Sequence, residues 1–230
     1  MKKRSIIISL GLVVCMIAIV NGCKKTPDED PITQTGLSTS YTEEFDDFVA
    51  VNNKGWVSND FSGVNTYAGW GQGSMSFDKG GVWHGFAAYA WINNPTEFAY
   101  SYCSNYNTNS SVSSWFISPT LLAKNGDKIS FYTRGDTVGP NINRMQVRLA
   151  KTTDAYISND LNSVGKFTTL LFDINPNQVN SGYPTSWTKY EYTFSGLSKP
   201  TDVRIGFRHY FLNVSTARGV GIDQFKFQVN

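Results

Sequence analysis

The feature that most limits what this chain can become is a two-residue alternation carried by short segments. In 128–134 the residues Ile129, Phe131 and Thr133 share one parity, and in 144–150 Met145, Val147 and Leu149 alternate with Gln146 and Arg148. In 190–194, Tyr190, Tyr192 and Phe194 alternate with Glu191 and Thr193. In 202–211, Val203, Ile205, Phe207 and Phe211 alternate with Arg204, Arg208 and Tyr210, and His209 falls on the apolar parity. Successive side chains of a strand point to opposite faces, so this pattern describes half-buried antiparallel strands. An amphipathic helix would repeat at 3.6 residues instead. Turn-forming clusters separate the segments: Asn125-Gly126-Asp127, Gly139-Pro140-Asn141, Asn175-Pro176-Asn177, Gly182-Tyr183-Pro184 and Lys199-Pro200. Many short strands cut by such clusters predict an all-β, antiparallel, jelly-roll-like sandwich, a single domain over 41–230. No helix is expected. The best helical stretch, 154–161, reads as a loop or one turn.

Composition removes two classes of function. Aromatic residues make up 14% of the 230 residues, too many for a disordered chain. Lys and Arg number 20 against 18 Asp and Glu, so the chain lacks the basic excess of a nucleic-acid binder.

The first 22 residues read as a signal peptide. Lys2, Lys3 and Arg4 precede an uncharged apolar run over 5–20, short of the ~20 residues of a membrane span. Val20-Asn21-Gly22-Cys23 then resembles the lipobox of bacterial lipoproteins, with Asn21 a departure from it. The resemblance implies cleavage before Cys23 and lipidation of that cysteine. The alternative is a secreted chain in which Cys23 is incidental. Residues 23–40, polar and containing Pro27 and Pro31, form a flexible tether. Its Asp28-Glu29-Asp30 cluster resembles the surface-export signal of Bacteroidetes lipoproteins, which implies the outer membrane, facing outwards. An ordinary solvated tether gives the same charge run. Residues 1–22 hold three basic residues and no acid, so 17 basic side chains remain against 18 acidic ones. Cys103 is the one thiol left to the folded body, so no intrachain disulfide can staple it.

An ordered set of segments resembles the choice-of-anchor J domain. It comprises Phe45-Asp46-Asp47-Phe48, Gly55-Trp56, Gly69-Trp70-Gly71-Gln72-Gly73, Ser114-Trp115-Phe116-Ile117-Ser118-Pro119 and 125–134. It continues with 144–149, 165–176, Gly182-Tyr183-Pro184, Trp187-Thr188, 204–210 and Gly221-Ile222-Asp223. The resemblance covers roughly 43–228, and 82–106 departs from it. It implies a jelly-roll-like sandwich and no activity, with lipid on Cys23 as this chain's anchor.

The residues offer little for catalysis. His84 and His209 are the histidines, with no nucleophile elbow and no active-site cysteine signature. His209 is expected in the core as a hydrogen-bonded structural residue, and Cys103 as a small buried one. Paired carboxylates of a glycoside-active enzyme leave no mark in sequence. Asp223 shares parity with Gly221, Phe225, Phe227 and Val229, which places a carboxylate on an apolar face. It needs a cation, an arginine (Arg204, Arg208 or Arg218), or backbone N–H donors. In related-looking sandwiches the first and last strands adjoin and acids there hold calcium. The candidate calcium ligands are therefore Glu43, Glu44, Asp46 and Asp223. For a glycan, aromatic faces beside amides are needed. Trp70, Trp83, Trp91, Tyr102, Tyr106 and Asn105 are the candidates, drawn from a stretch rich in both. Asp136-Thr137-Val138 also resembles the Bacteroidetes O-glycosylation site. The reading is a lipid-anchored, non-catalytic surface module for glycan. The alternatives are a protein-binding adhesin or structural surface protein and, further off, a glycoside-active enzyme. Replacement of Cys23 by Ala should abolish palmitate labelling and release the chain from membranes, checked by radiolabelling and fractionation; retention with label would sink the lipid anchor.

Overall fold

The computed structural model describes residues 36–63, 66–73, 76–77, 83–84, 86–89, 98–105, 110–136, 142–214 and 218–230. The signal peptide, Cys23, most of the tether, Trp91 and Tyr106 lie outside the described residues. The chain divides into two units, Met1–Thr33 and Gln34–Asn230, and the described residues all belong to the second.

Its elements follow in chain order as β1 (Tyr41–Glu43), α1 (Phe48–Asn53), β2 (Val57–Asp60), β3 (Thr66–Gly73), β4 (Ser76–Phe77) and β5 (Trp83–His84). Then come β6 (Phe98–Asn105), β7 (Ser110–Ile117), β8 (Leu121–Ala123), β9 (Lys128–Gly135), β10 (Met145–Ala150) and β11 (Thr169–Ile174). The last are β12 (Thr188–Thr193), β13 (Thr201–Val214) and β14 (Val220–Gln228). Two six-stranded sheets face each other. The first runs β12-β9-β14-β6-β3, with β1 on β14; the second runs β11-β10-β13-β7-β2, with β8 on β13. Pairing between these strands is antiparallel throughout, as the alternation predicts. One edge of β14 is shared: β6 takes 220–222 and β1 takes 225–227.

The residues of one parity meet between the sheets. Ile129, Phe131 and Thr133 of β9, Met145, Val147 and Leu149 of β10, and Val203, Ile205, Phe207 and Phe211 of β13 are buried. Phe116 of β7 is the hub, with ring centroids 4.6 Å from Trp56, 5.3 Å from Phe48, 5.5 Å from Trp70 and 5.8 Å from Phe45. Phe207 joins Trp56, Phe131 and Phe225 at 6.3, 4.9 and 6.1 Å. Such tilted and offset pairs add ~0.5–1.5 kcal/mol each beyond area burial.

Two expectations are corrected. Helix α1 exists because Asp47 caps it, accepting from the backbone N–H groups of Val49 and Ala50. Phe48 and Val51, three apart, turn the same face of that helix to the core. At six residues it is too short for its period to stand out against flanking strands. Residues 36–40, assigned to the tether, are already part of the sandwich. Leu37 bridges Leu121 in parallel, Gly36 N donates to Asp202, and Val229 N donates to Ser40 Oγ. The stretch 154–161 holds no helix, as expected.

Truncating Phe116 to Ala removes the shared partner of four aromatic rings and should lower stability by about 3–5 kcal/mol, read by chemical denaturation; a loss below about 1 kcal/mol would show that the hub is dispensable.

Candidate functional site

Cross-strand register decides which residues reach the outer face of the first sheet. Gly69, Gly71 and Gly73 of β3 lie opposite Tyr102, Tyr100 and Phe98 of β6. Tyr100 lies opposite Gly221 of β14, and Gly221 opposite Arg134 of β9. Partners across a ladder share a face, and Arg134 is of the parity opposite to buried Thr133. The glycines of Gly69-x-Gly71-x-Gly73 therefore face outwards, beside a row of aromatics.

The glycines divide by what stands over them. A Cβ on Gly73 would lie 2.5 Å from the Phe98 ring, and one on Gly221 2.9 Å from the rings of Phe86 and Phe98. These positions are bare because aromatic rings lie flat against the backbone. Above Gly69 and Gly71 nothing among the described residues comes within 4 Å of a Cβ position. They form an open floor walled on one side by Tyr100 and Tyr102, whose centroids are 6.4 Å apart. Tyr102 is 51% exposed. Tyr100 is largely buried, which raises its pKa; Asp136 nearby raises it further and Arg218 opposes this.

Residues 86–89 cross the same face and close one end of the row. Phe86 stacks on Phe98 at 4.8 Å and meets Trp187 edge-on at 5.5 Å, with the Arg134 guanidinium 4.3 Å above its ring. The Trp187 indole N–H donates to Ala87 O at 2.9 Å. Tyr89 stacks on Tyr132 at 3.7 Å, and Tyr89 N donates to Asp223 Oδ2 at 2.8 Å.

Asp223 is the chief correction to the sequence reading. It is not on the apolar face. The β14–β9 register shifts between Asp223 and Lys226, and Gln224 takes a left-handed φ of 47°. That bulge uses up one residue, so Phe225 and Phe227 point inwards while Asp223 points outwards beside Tyr132. It remains only 2% exposed, covered by 86–89. It meets its need through backbone donors, Tyr89 N and Gln224 N. Burial raises its pKa to about 7, with Glu44 and Asp46 adding to the shift.

The other acids lie at the start of the sandwich. Glu43, Glu44 and Asp46 line a pocket of about 220 Å³ with Thr42, Asp47, Ala50 and Lys54. Glu43 is held by Lys54 Nζ, 3.1 Å from both carboxylate oxygens, and accepts from the Tyr41 hydroxyl. Burial and the Glu43 charge raise the Asp46 pKa. Among the described residues no group of three or more His, Cys, Asp or Glu is placed to share one ion.

The aromatic candidates separate. Trp70 is 6% exposed and belongs to the core, where its indole N–H donates to Ser114 O at 3.2 Å. It sits on the inner parity of β3, between the outward glycines. Tyr102 is on the outer face. Trp83 lies in β5 and Asn105 ends β6, and only their backbone is described.

Ser101, His209 and Asn143 form a chain, Ser101 Oγ 2.9 Å from His209 Nδ1 and Asn143 Oδ1 3.2 Å from Nε2. All three are wholly buried between the sheets, and burial pushes the His209 pKa down to about 3. A hydroxyl sealed there reaches no substrate from outside; the chain links the sheets. Cys103 is buried too, with its thiol raised to about 12.

No protein-family model matches the sequence, and neither does any curated protein. Among solved structures, the K1 cleaved adhesin domain of Lys-gingipain from Porphyromonas gingivalis W83 superposes with a TM-score of 0.51. It is 17% identical, over 84% of this chain and 99% of that one. The K2 cleaved adhesin domain of Lys-gingipain gives 0.51 at 17%, over 83% of this chain and all of that one. At 17% identity these likenesses show the β-sandwich fold and nothing finer.

What the sequence reading missed is the paired parity of Gly69-x-Gly71-x-Gly73 and Phe98-x-Tyr100-x-Tyr102. Both triplets are legible as period-2 sets, but only their register shows that they adjoin. The raised pKa of Asp223 fixes a sign for pH. The folded protein holds that proton more tightly than the unfolded chain, whose carboxyl titrates near ~3.9. Its stabilising contribution is whole below about pH 4 and is lost as pH rises through about 7. Denaturation between pH 4 and 8 should show a smaller decline for Asp223→Asn than for the parent; equal slopes would exclude Asp223 as the source.

Proposed function

We propose that this domain is a non-catalytic glycan-binding module whose site is the open floor at Gly69 and Gly71 walled by Tyr102 and Tyr100. The observation that carries the reading is the coincidence of an exposed tyrosine face with a floor stripped of side chains. A sugar ring needs a flat apolar surface for its C–H face and polar groups at the rim. Tyr102 supplies the face and Asp136 and Arg218 lie near the Tyr100 hydroxyl. Large exposed aromatic surface on a rigid sheet usually marks a binding site.

The module would be held at the outer membrane by lipid on Cys23, facing outwards, with 24–35 as its lead. The support for this is the basic start, the apolar run and the Gly22-Cys23 junction, together with the resemblance to choice-of-anchor J proteins. A protein partner is the second reading. Two domains that share this fold are named adhesin domains, and exposed Tyr89, stacked on Tyr132, adds a second aromatic pair to the same face.

Affinity electrophoresis against a panel of neutral polysaccharides separates the two. Retardation by at least one, weakened about tenfold or more by Tyr102→Ala, is the expected result. Mobility unchanged in every gel, alongside Tyr102-dependent binding to a host-cell surface protein, would replace glycan by protein.

A further inference from the structure

The outer face of the second sheet carries a different constellation. Arg144, Gln146 and Arg148 of the β10 region, Arg208 and Tyr210 of β13, and Trp115 of β7 adjoin there, since Gln146 pairs with Arg208 and Arg208 with Trp115. Arg208 is 2% exposed and lies with its guanidinium carbon 3.7 Å from the Tyr210 ring and 5.0 Å from the Trp115 ring. Its acceptors are Ser113 Oγ, Gln146 Oε1 and Leu161 O, all neutral. Burial draws its pKa down to about 10, so it keeps its charge at neutral pH. Arg148 likewise spends its donors on neutral oxygens, Gln146 Oε1 at 3.0 Å and Phe167 O at 3.2 Å.

Among the described residues one carboxylate touches the group. Asp173 takes Arg144 in a two-pronged pair, Nε to Oδ1 at 2.7 Å and a second nitrogen to Oδ2, and also accepts from Gln146. Asp160, in the loop above, supplies a more distant opposite charge to Arg208. Three guanidinium groups are thus set around one directly bound carboxylate. A buried cation without a counter-ion is costly, and its potential falls on the half-buried groups around it. Arg208 is sealed by Leu161, so the donors left for a ligand are Arg144 Nη1 and Arg148 Nη2, which have no hydrogen-bond partner among the described residues. Arginine's planar fork suits oxyanions, and the fixed hydrogen bonds to Gln146 and Asp173 hold both forks in place.

We infer that the Arg144–Arg148–Tyr210 surface, backed by the buried Arg208, is a binding site for an oxyanion, carboxylate or sulfate, carried by a small molecule or by a charged sugar. It lies on the sheet opposite the tyrosine floor and does not depend on the neutral-glycan reading. Arg204 on the same strand is the internal control, because it lies six residues before Tyr210 and its guanidinium is held by Thr153 O and Ser118 O, outside the Arg144–Arg148–Tyr210 cluster.

The test follows the arginine Nε–Hε resonances during titration with sodium sulfate, sodium glucuronate and, at matched ionic strength, sodium chloride. Saturable shifts at Arg144, Arg148 and Arg208, with Arg204 still, are expected from sulfate, glucuronate or both. Sulfate alone would mean a free or ester sulfate, and glucuronate alone a uronic acid. Arg148→Met, which keeps the aliphatic stem, should weaken the saturable response about tenfold or more. No response beyond chloride, or shifts at Arg204 as large as at Arg148, would overturn the site. Because the parent protein carries the primary readout, a poorly folded variant does not rescue the proposal.

Discussion

Everything in this sandwich depends on how Phe116 is enclosed. Its ring is reached by Trp70 from β3, by Trp56 and Phe45 from the segments around β1 and β2, and by Phe48 from α1. Both sheets and helix α1 thus converge on a single side chain. With no disulfide among the described residues, the two sheets are held by this aromatic packing and by a few polar ties. The Ser101–His209–Asn143 chain is one, and the Thr133–Tyr183 hydroxyl pair at 2.7 Å is another. A buried hydrogen bond contributes only about 1 kcal/mol net, so these ties set register and the rings supply the stability.

The outer faces are where the two sheets differ. On the first, glycines let aromatic rings lie against the backbone, and 86–89 covers part of that surface while leaving Tyr102 open. On the second, residues 151–168 fold over the sheet, and Ala155, Ile157, Val164 and Phe167 pack with Trp115 and Ile117 in a second apolar layer. The described residues therefore form three apolar layers, with an ionisable group buried at the outer seam of each sheet. Arg208 sits in one seam and Asp223 in another, which is why both are buried and both keep a partner made of backbone or amide.

The alternation of side chains made the interior readable. Ile129, Phe131, Met145, Val147, Val203, Ile205, Phe207 and His209 all stand where their parity puts them, because each strand contributes a face to one continuous core. Asp223 shows where such reading stops. A single left-handed residue, Gln224, resets the parity, and Gln224 carries none of the glycine or asparagine signal that would mark it. Trp70, a binding candidate by sequence, belongs to the core for a related reason. Tryptophan serves equally as core or as platform, and only the neighbouring glycines, with their opposite parity, tell the two apart. α1 escaped because one turn and a half holds too few residues to show a period, although its Asp47 cap was in plain view.

The route by which the chain enters the sandwich has a mechanical consequence. Leu37 exchanges two backbone hydrogen bonds with the β8 segment, through Thr120 O and Leu122 N, both 2.9 Å long. Four residues later β1 pairs antiparallel with β14 over only Tyr41, Thr42 and Glu43. A pull applied at Gly36 is therefore met by its own bond to Asp202, the Leu37 bridge and the Ser40–Val229 bond before it reaches β1. Tyr41 and Glu43 of that strand are tied by hydroxyl and ammonium to Trp56 and Lys54. The leading segment can be stripped to Ser40 while both six-stranded sheets keep their central pairings.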